Sequence, residues 1–262
     1  MLLVDTHTHV SPYWYEPVET LLYQMATNGV DKAVLVQLGV GRTYDNSYLV
    51  ECIRRFPGRF SAVAIVDTDK PDATEQLEEW VKQGVEGIRL RGTLRSPGQD
   101  PLIIWRKAAE TRIVVSAVGV LKEFASLEFE NVINEFPNLN FIIEHLGHGG
   151  DDTAPYETYR RVLALAKYTN VFMKVPGLGE ISKPSVPFHT STYENVPPLI
   201  EMAVEAFGAR RLMWGSDFPR VSGDLDGYRN ALRLPMEHVQ FKSQEDKEWI
   251  FGRTATTLFQ FR

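Results

Sequence analysis

The sequence predicts an α/β protein folded as a single-domain (β/α)8 TIM barrel, and three observations support this prediction. Short apolar runs rich in β-branched residues alternate with longer stretches of helical period, which is typical of repeated βα units around a parallel sheet. Eight such runs occur, and each is almost continuously apolar, as expected for strands buried on both faces. No G-x-G-x-x-G motif follows the first run, which favours a closed barrel over an open, doubly wound sheet.

Each predicted strand is followed by an amphipathic stretch. The strands are predicted at residues 2–5, 32–37, 60–66, 87–91, 113–118, 140–144, 171–174 and 211–215. The helices are predicted at residues 17–28, 46–56, 72–83, 101–110, 122–136, 155–167, 196–207, 225–234 and 244–259. Pro101 is expected in the first turn of its helix, and Gly29, Gly84 and Gly208 are expected to end helices. The first eight helices fill the eight βα positions of one domain, residues 1–262.

Composition and charge narrow the class of protein. The chain has 262 residues, is 44% hydrophobic and carries a net charge of −6, without a run of Lys or Arg. Nucleic acid and anionic membranes are therefore not expected as partners. A small-molecule substrate is expected instead. Cys52 is the single cysteine, so neither an internal disulfide nor a multi-cysteine metal site is expected, and a reducing compartment, the cytoplasm, is the expected location. Neither a membrane span nor a signal peptide is expected.

One long segment interrupts the regular alternation. Residues 177–198, after the seventh strand, contain four prolines and no helical period. A loop of this length in a compact domain is usually functional or mobile. Its position in a barrel predicts that it lies over the mouth.

The motif HTH follows the first strand. If the strand continues through it, Asp5, His7 and His9 point to the same side, and the two imidazoles converge at the end where barrel enzymes place their active sites. Imidazole binds metals, polarises carbonyl groups and transfers protons near neutral pH. The alternative is a pair of hydrogen-bonded histidines at a strand end.

Two further strands end in polar residues. The sixth runs into FIIEHLGHGG, which places His145 at the same end of the barrel, with His148 predicted to be peripheral. The alternative for His145 is a capping or core histidine. The eighth runs into RLMWGSDFP, which places Asp217 beside the first strand, where it can face His7 and His9. A capping or turn aspartate is the alternative there.

The fourth strand ends in two arginines that share one face. Arg89 and Arg91 lie in GVEGIRLRG, and a planar guanidinium suits a carboxylate, so one of them is a candidate for binding an acidic substrate. A salt bridge at the surface or at the base of the barrel is the equally weighted alternative. Trp14, Tyr15 and Phe218 are candidates for the pocket wall, although aromatic residues of a barrel more often only pack.

The motifs HTH, EHLG and GSDFP, in this order and spacing, closely resemble those of the amidohydrolase superfamily and of its amidohydrolase 2 branch. The stretch FENVINEFPNLNFIIEHLG adds to the resemblance, which runs over nearly the whole chain. The resemblance implies a distorted TIM barrel that hydrolyses esters or amides or, in some members, decarboxylates. It also implies Zn²⁺ or Mn²⁺ between the first-strand histidines and the strand-eight aspartate.

The chain departs from the two-metal members of that superfamily. They have a bridging lysine or glutamate on strand four and a histidine on strand five, whereas this chain has Arg89 and Arg91 on strand four and IVVSAVGV on strand five. His7, His9, His145 and Asp217 are too few ligands for two ions, so at most one divalent ion is expected, with Zn²⁺ preferred. The pattern resembles the lactonase-like group, in which metal is weakly held or dispensable.

These observations predict a hydrolase that opens a small lactone, either of a sugar acid or of an aromatic-degradation intermediate. Asp217 is predicted to be the general base, and His7, His9 and His145 are predicted to polarise the carbonyl directly or through one ion. Arg89 or Arg91 is predicted to bind a substrate carboxylate. If all four ligands bind metal, no separate base is left.

Three alternatives stay open at this point. Decarboxylation or amide hydrolysis would use the same fold, and a protein that binds a small ligand without catalysis is a third reading. A TatD-like nuclease also begins with H-x-H, but it needs a strand-four glutamate and a basic groove, which this acidic chain lacks. Substrate identity and assembly into a homo-oligomer are not fixed by the sequence.

Overall fold

A computed structural model describes residues 1–39, 43–182, 196–223 and 226–262. Eight parallel strands form one sheet in the order of the sequence, and the prediction of a TIM barrel is confirmed. The strands are β1 (Val4–Thr8), β2 (Lys32–Val36), β3 (Phe60–Ala64), β4 (Gly87–Arg91), β5 (Val114–Val118), β6 (Phe141–Ile143), β7 (Val171–Val175) and β8 (Leu212–Trp214). All eight coincide with predicted strands within a few residues. The largest shift is in β1, which begins later than predicted and runs into the HTH motif.

The barrel closes between β1 and the residues after β8. The backbone N–H of Asp217 donates to the carbonyl oxygen of His7 at 2.9 Å, and that of His9 donates to the carbonyl oxygen of Phe218 at 2.7 Å. The hydroxyl of Thr6 donates to the carbonyl oxygen of Trp214 at 2.7 Å. Closure therefore runs through the HTH and GSDFP motifs themselves and brings them side by side.

Helices surround the barrel, and all of those described except the short α8 overlap predicted helices. Their bounds are α1 (Val18–Asn28), α2 (Ser47–Arg55), α3 (Ala73–Lys82), α4 (Ile103–Thr111), α5 (Leu121–Phe124), α6 (Leu127–Glu135), α7 (Glu157–Leu163), α8 (Leu178–Ile181), α9 (Leu199–Phe207), α10 (Tyr228–His238), α11 (Gln244–Glu248) and α12 (Thr254–Leu258). A π-helical turn, Trp249–Arg253, joins α11 to α12, so the last predicted helix is one nearly continuous element.

Two predicted helices differ in detail. The stretch predicted at 122–136 divides into α5 and α6, because Ser126 accepts a hydrogen bond from the backbone N–H of Phe129 and starts a new helix. Pro101 lies in the turn before α4 rather than in its first turn. The predicted loop 177–198 begins with the short helix α8, and residues 183–195 of it lie outside the described residues, as does Leu225 at the start of another predicted helix.

The interior of the barrel is apolar at its amino end. Inward-facing side chains of several strands form one buried cluster with the end of the chain; its members include Val4, Val34, Val63, Val114, Ile142, Met213, Phe259 and Phe261. The carboxylate of Glu86 accepts the backbone N–H of Gln260 at 3.0 Å and so helps to hold this final segment in place. The C-terminal segment thus closes the amino end and leaves the opposite end for the site.

Within the described part of the chain, no helix has the length and apolar character needed to cross a membrane.

Candidate active site

His7 and His9 stand at the carboxyl end of β1, as predicted. Both are buried, at 1% and 5% exposure, and their ring centroids are 4.8 Å apart. Their Nε2 atoms lie 3.7 Å and 3.3 Å from Oδ1 of Asp217. Nδ1 of His9 lies 2.7 Å from the carbonyl oxygen of Val36, which can only accept. Nδ1 of His9 therefore carries a hydrogen, and Nε2 is the nitrogen that faces the site.

Asp217 reaches the histidines from the turn after β8. A Cβ at Gly215 would lie 2.6 Å from Cβ of His7, so glycine is required for β8 to pack this closely against β1. Asp217 itself has a φ of 60°, in the left-handed region that costs energy and clusters at functional sites. Burial would raise the pKa of Asp217, but contact with His9 and the charge of His145 lower it below its ordinary value. The carboxylate is therefore ionised at neutral pH.

His145 brings a third imidazole from the turn after β6. Residues 145–148 all have φ between 50° and 60°, and this tight left-handed turn places the ring of His145 with its centroid 4.5 Å from that of His7. Its Nδ1 lies 2.8 Å from Oε2 of Glu180. Burial would lower the pKa of His145, but Glu180 raises it above its ordinary value. The ring of His148 lies beside it, with centroids 5.5 Å apart.

The structure thus brings His7, His9, His145 and Asp217 together at the carboxyl end of the barrel. Sequence reasoning missed a buried layer of charge below them. Glu144, at 0% exposure, accepts Nε and Nη2 of Arg89 at 3.1 Å and 2.7 Å, and the hydroxyl of Ser116 at 2.6 Å.

Lys174 is the second charged residue of this layer. Its side chain is buried, and its Nζ lies 2.8 Å from Nδ1 of His7 and 3.0 Å from Oγ of Ser116. The ammonium group and the carboxylate of Glu144 are 3.8 Å apart. His7 therefore has a charged group on either side, with Lys174 in hydrogen-bond contact with Nδ1 and Asp217 3.7 Å from Nε2.

A signal for two of these missed residues was present in the sequence. Glu144 and Lys174 lie inside predicted strands, two residues after the inward-facing Ile142 and Phe172. A charge at an inward strand position is costly unless it is paired, so each one predicts a partner nearby. Glu180 gave no such signal, because it lies in the segment 177–198, where no periodic pattern indicates which way a side chain points.

The two arginines of β4 have different surroundings. The fork of Arg89 is occupied by Glu144, and its side chain is 12% exposed. The side chain of Arg91 is 58% exposed, with Nη2 2.5 Å from Oε1 of Glu123. A third arginine, Arg220, was not predicted; its Nη1 lies 3.5 Å from Oδ2 of Asp217, and its side chain is 58% exposed. Each arginine thus has a carboxylate partner in the described structure.

Burial and pairing shift the pKa values of the charged layer. Burial would raise the pKa of Glu144, but Arg89 and then Lys174 hold it far below its ordinary range. Burial lowers the pKa of Lys174 to about 8. Burial, followed by Lys174 and His145, lowers the pKa of His7 well below its ordinary value. His7 is therefore a neutral imidazole at neutral pH.

Two cavities flank the mouth of the barrel. One, of about 220 Å³, is lined by both β4 arginines together with Tyr44 and Thr68. The other, of about 480 Å³, is lined by an aromatic group that includes Tyr13, Trp14, Tyr15 and Tyr48. Tyr15 connects this cavity with the site, because its ring centroid lies 6.2 Å from that of His9. Phe218, by contrast, is buried and packs in the core.

The fold and this cluster define a barrel protein with its reactive groups at the carboxyl end of the strands, the arrangement of barrel enzymes. The family model described as amidohydrolase matches residues 4–261. The chain belongs to the amidohydrolase family and is a hydrolytic enzyme of that superfamily, which confirms the resemblance found in the sequence.

Relatives with descriptive names were found among proteins and solved structures. The chain is 24% identical to L-fucono-1,5-lactonase of Burkholderia ambifaria, over 98% of this chain and 95% of that protein. A putative 2-pyrone-4,6-dicarboxylic acid hydrolase from Pseudomonas putida superposes with a TM-score of 0.78 at 23% identity, covering 100% and 98% of the two chains. An amidohydrolase from Burkholderia multivorans with bound zinc gives a TM-score of 0.78 at 18% identity, covering 100% of both chains.

The family implies a divalent metal ion, and the residues present fit one. Nε2 of His7 is buried and has no hydrogen-bond partner among the described residues. One donor atom each from His7, His9 and Asp217 lies within 4.8 Å of the others, and the same holds for His145, Glu180 and Asp217. Imidazole nitrogen and carboxylate oxygen are ligands of divalent zinc. The site can therefore accept a divalent cation.

Proposed function

We propose that the protein hydrolyses a small lactone that carries a carboxylate group. The observation that carries this proposal is an ionised, buried carboxylate, Asp217, facing three imidazoles at the barrel mouth. The names of two similar proteins, a fuconolactonase and a 2-pyrone-4,6-dicarboxylic acid hydrolase, support a lactone as the substrate. The second name also supports a carboxylate on it.

In the proposed reaction, Asp217 acts as the general base. It takes a proton from a water molecule whose oxygen attacks the lactone carbonyl, and the carbonyl π electrons move to the oxygen to give a tetrahedral oxyanion. The oxyanion then re-forms the carbonyl and expels the ring alkoxide, which receives the proton from Asp217. The products are a hydroxy acid and the original carboxylate form of Asp217. The low pKa of Asp217 keeps it in the carboxylate form at neutral pH, and this is the form that can accept a proton.

The histidines stabilise the developing negative charge. Glu180 favours the protonated form of His145, which supplies positive charge next to His7 and Asp217. Fixed hydrogen-bond donors and charges in a water-poor site are worth more than in bulk solvent, because they need no reorganisation during the reaction. We propose that His7 and His9 complete this binding region for the carbonyl oxygen.

The substrate carboxylate is proposed to bind on the β4 side of the mouth. Arg89 uses Nε and Nη2 for Glu144, so its remaining Nη1 is the group available for a ligand. Arg91 lines the same cavity of about 220 Å³ and has a more exposed side chain. Both arginines therefore stay candidates for this contact. Arg89 is the one paired with Glu144, whose Oε1 lies 3.8 Å from Nδ1 of His7.

We propose that the site binds one divalent ion, with zinc as the first candidate, and that this ion is dispensable for activity. His7, His9 and Asp217 would hold it, with His145 as the fourth ligand. When bound, such an ion polarises a carbonyl and lowers the pKa of water. Location in the cytoplasm and assembly into a homo-oligomer also belong to the proposal.

A panel of lactones tests the proposal. Purified protein is analysed for metal content, and turnover is followed through proton release with a pH indicator, with and without a chelator. Sugar-acid lactones and carboxylated pyrones form the panel, and CO₂ and ammonia release are recorded on matched acids and amides. Proton release by a lactone supports the proposal. Release of CO₂ or ammonia without lactone opening contradicts it.

The first variant to compare is Asp217→Asn. General-base catalysis contributes a factor of about 10² to 10⁴, so kcat should fall by that factor while substrate still binds. Arg253→Gln, on the outer surface, serves as the control and should leave kcat unchanged. Activity that survives both Asp217→Asn and the chelator would rule out this mechanism.

A further inference from the structure

Lys174 is a buried charged side chain that the proposed reaction leaves without a role. Its exposure is 2%, and three polar groups surround Nζ: Nδ1 of His7 at 2.8 Å, Oγ of Ser116 at 3.0 Å and Oε1 of Glu144 at 3.8 Å. A lysine ammonium offers three hydrogens and no lone pair. Each of these three neighbours can accept a hydrogen.

The direction of the hydrogen bonds follows from the neighbouring groups. The hydroxyl of Ser116 donates its hydrogen to Oε1 of Glu144 at 2.6 Å, so Oγ keeps its lone pairs for Lys174. The carboxylate of Glu144 provides the counter-charge that a buried ammonium requires. Lys174 therefore donates to Nδ1 of His7. Because a neutral imidazole carries one hydrogen, that hydrogen is on Nε2, which faces Asp217.

We propose that Lys174 is a positioning residue that holds the hydrogen of His7 on Nε2, which makes His7 a hydrogen-bond donor in the site and weakens the binding of a divalent ion there. His9 has a different partner at the same nitrogen, since its Nδ1 donates to the carbonyl oxygen of Val36. At Nδ1, His9 thus meets a hydrogen-bond acceptor, whereas His7 meets a hydrogen-bond donor. The use of His7 as a donor to the carbonyl oxygen rests on the proposed function.

Binding of an ion at Nε2 of His7 would require a change in this network. The hydrogen would have to move to Nδ1, which would end the hydrogen bond from Lys174, and the ammonium charge would repel the cation. Partners of a ligand's second nitrogen commonly change metal affinity by about 10- to 100-fold. Lys174 is therefore expected to weaken ion binding without touching the ion.

The first test measures where the hydrogen of His7 is. Metal-free enzyme labelled with ¹⁵N-histidine is examined by long-range ¹H–¹⁵N correlation NMR, and His7→Gln assigns the ring. A neutral ring with its hydrogen on Nε2 is the expected result. A ring with its hydrogen on Nδ1, or a doubly protonated ring, would overturn the proposal. This test needs no functional variant of Lys174.

The second test measures zinc affinity by competition with a chromophoric chelator. In Lys174→Met the hydrogen of His7 can move to Nδ1 and point to Oε1 of Glu144, 3.8 Å away, so zinc should bind about 10-fold more tightly or better. Lys32→Met, which removes a lysine at the opposite end of the barrel, is the matched control and should bind as the wild type does. Equal or weaker binding by folded Lys174→Met would contradict the inference.

Both readouts are independent of turnover. If the lactone panel gives no activity, the proposed function fails while the tautomer of His7 and the zinc affinities still decide the role of Lys174. If circular dichroism shows that Lys174→Met does not fold, the NMR measurement on the wild-type enzyme decides alone.

Discussion

The two ends of the barrel are built from the same strands and differ in chemistry. At the amino end, inward-facing residues such as Ile142 and Phe172 pack with Phe259 in an apolar cluster. Two residues further along the chain, Glu144, just after β6, and Lys174, in β7, face inward and form a charged network. A step of two residues keeps a side chain on the same face of the strand. Two residues along the chain thus separate the packed core from the candidate active site.

The two ends of the barrel also differ in what they contribute to the free energy of unfolding. Apolar burial at the amino end contributes about 25 cal/mol for each Å² removed from water. Charges buried at the carboxyl end contribute little net stability, because their mutual attraction mainly offsets the loss of hydration. Removing one charged partner should therefore lower the free energy of unfolding by much more than the intact pair contributes to it.

The largest effect is expected from Glu144→Gln. It leaves the buried cations of Arg89 and Lys174 without their counter-charge, and breaking a buried pair in this way costs about 3–5 kcal/mol of the free energy of unfolding. Urea denaturation measures the loss, and lactone turnover should fall with it. The control is Glu19→Gln, which breaks an exposed pair with Arg55 and should have little effect. Equal losses in the two variants would show that burial of the charges does not matter.

At the amino end of the barrel, Phe259→Ala should lower stability without changing catalysis. The ring is 1% exposed in the apolar cluster, so a cavity and lost burial should lower the free energy of unfolding by about 3–5 kcal/mol. At temperatures where the variant is folded, kcat should equal that of the wild type. Leu127→Ala, at a side chain with 76% exposure, is the matched control for stability. A fall in kcat would show that the two ends are coupled.

A smaller effect of opposite sign is expected from Asp226→Asn, near the mouth. Oδ2 of Asp226 accepts the backbone N–H of Gly179 at 3.0 Å, and burial raises the pKa of the carboxyl above its ordinary value. The stability contributed by the neutral form is complete below the unfolded pKa and is lost as pH rises through the folded one. Asparagine stays neutral, so the variant should gain stability over the wild type as pH rises from about 4 to 7.

The expected gain is on the order of 1 kcal/mol or less, in the range of ordinary substitutions away from the core. Urea denaturation at several pH values measures it. A difference between variant and wild type that does not change with pH would show that the charge of Asp226 is not its cause.

Much of the fold was predictable because buried parallel strands leave a local signal. Each of the eight strands reads as a short apolar run, and all eight were confirmed within a few residues. The division of one predicted helix into α5 and α6 was not anticipated, because the capping bond of Ser126 competes with a continuous helical period. The local sequence pattern thus predicted the strands and helices more reliably than the residues at which they begin and end.

The site was predictable where polar residues end apolar strands, and less so elsewhere. His7, His9, His145 and Asp217 each follow such a strand, and the structure brings all four together. Glu144 and Lys174 lie within the predicted strands 140–144 and 171–174 and were interpreted as part of them. Glu180 lies in an irregular segment, and its contact with His145 depends on a loop conformation that no periodicity encodes.

The sequence by itself determined the strand order, the family and which end of the barrel carries the reactive groups, because these depend on short-range patterns and on motifs in a fixed order. Only the tertiary structure decided which groups pair. Lys174 and His7 are 167 positions apart, yet they share a hydrogen bond of 2.8 Å. Pairing of this kind depends on the closure and stagger of the whole barrel, and the partners in turn fix charge and hydrogen placement in the site.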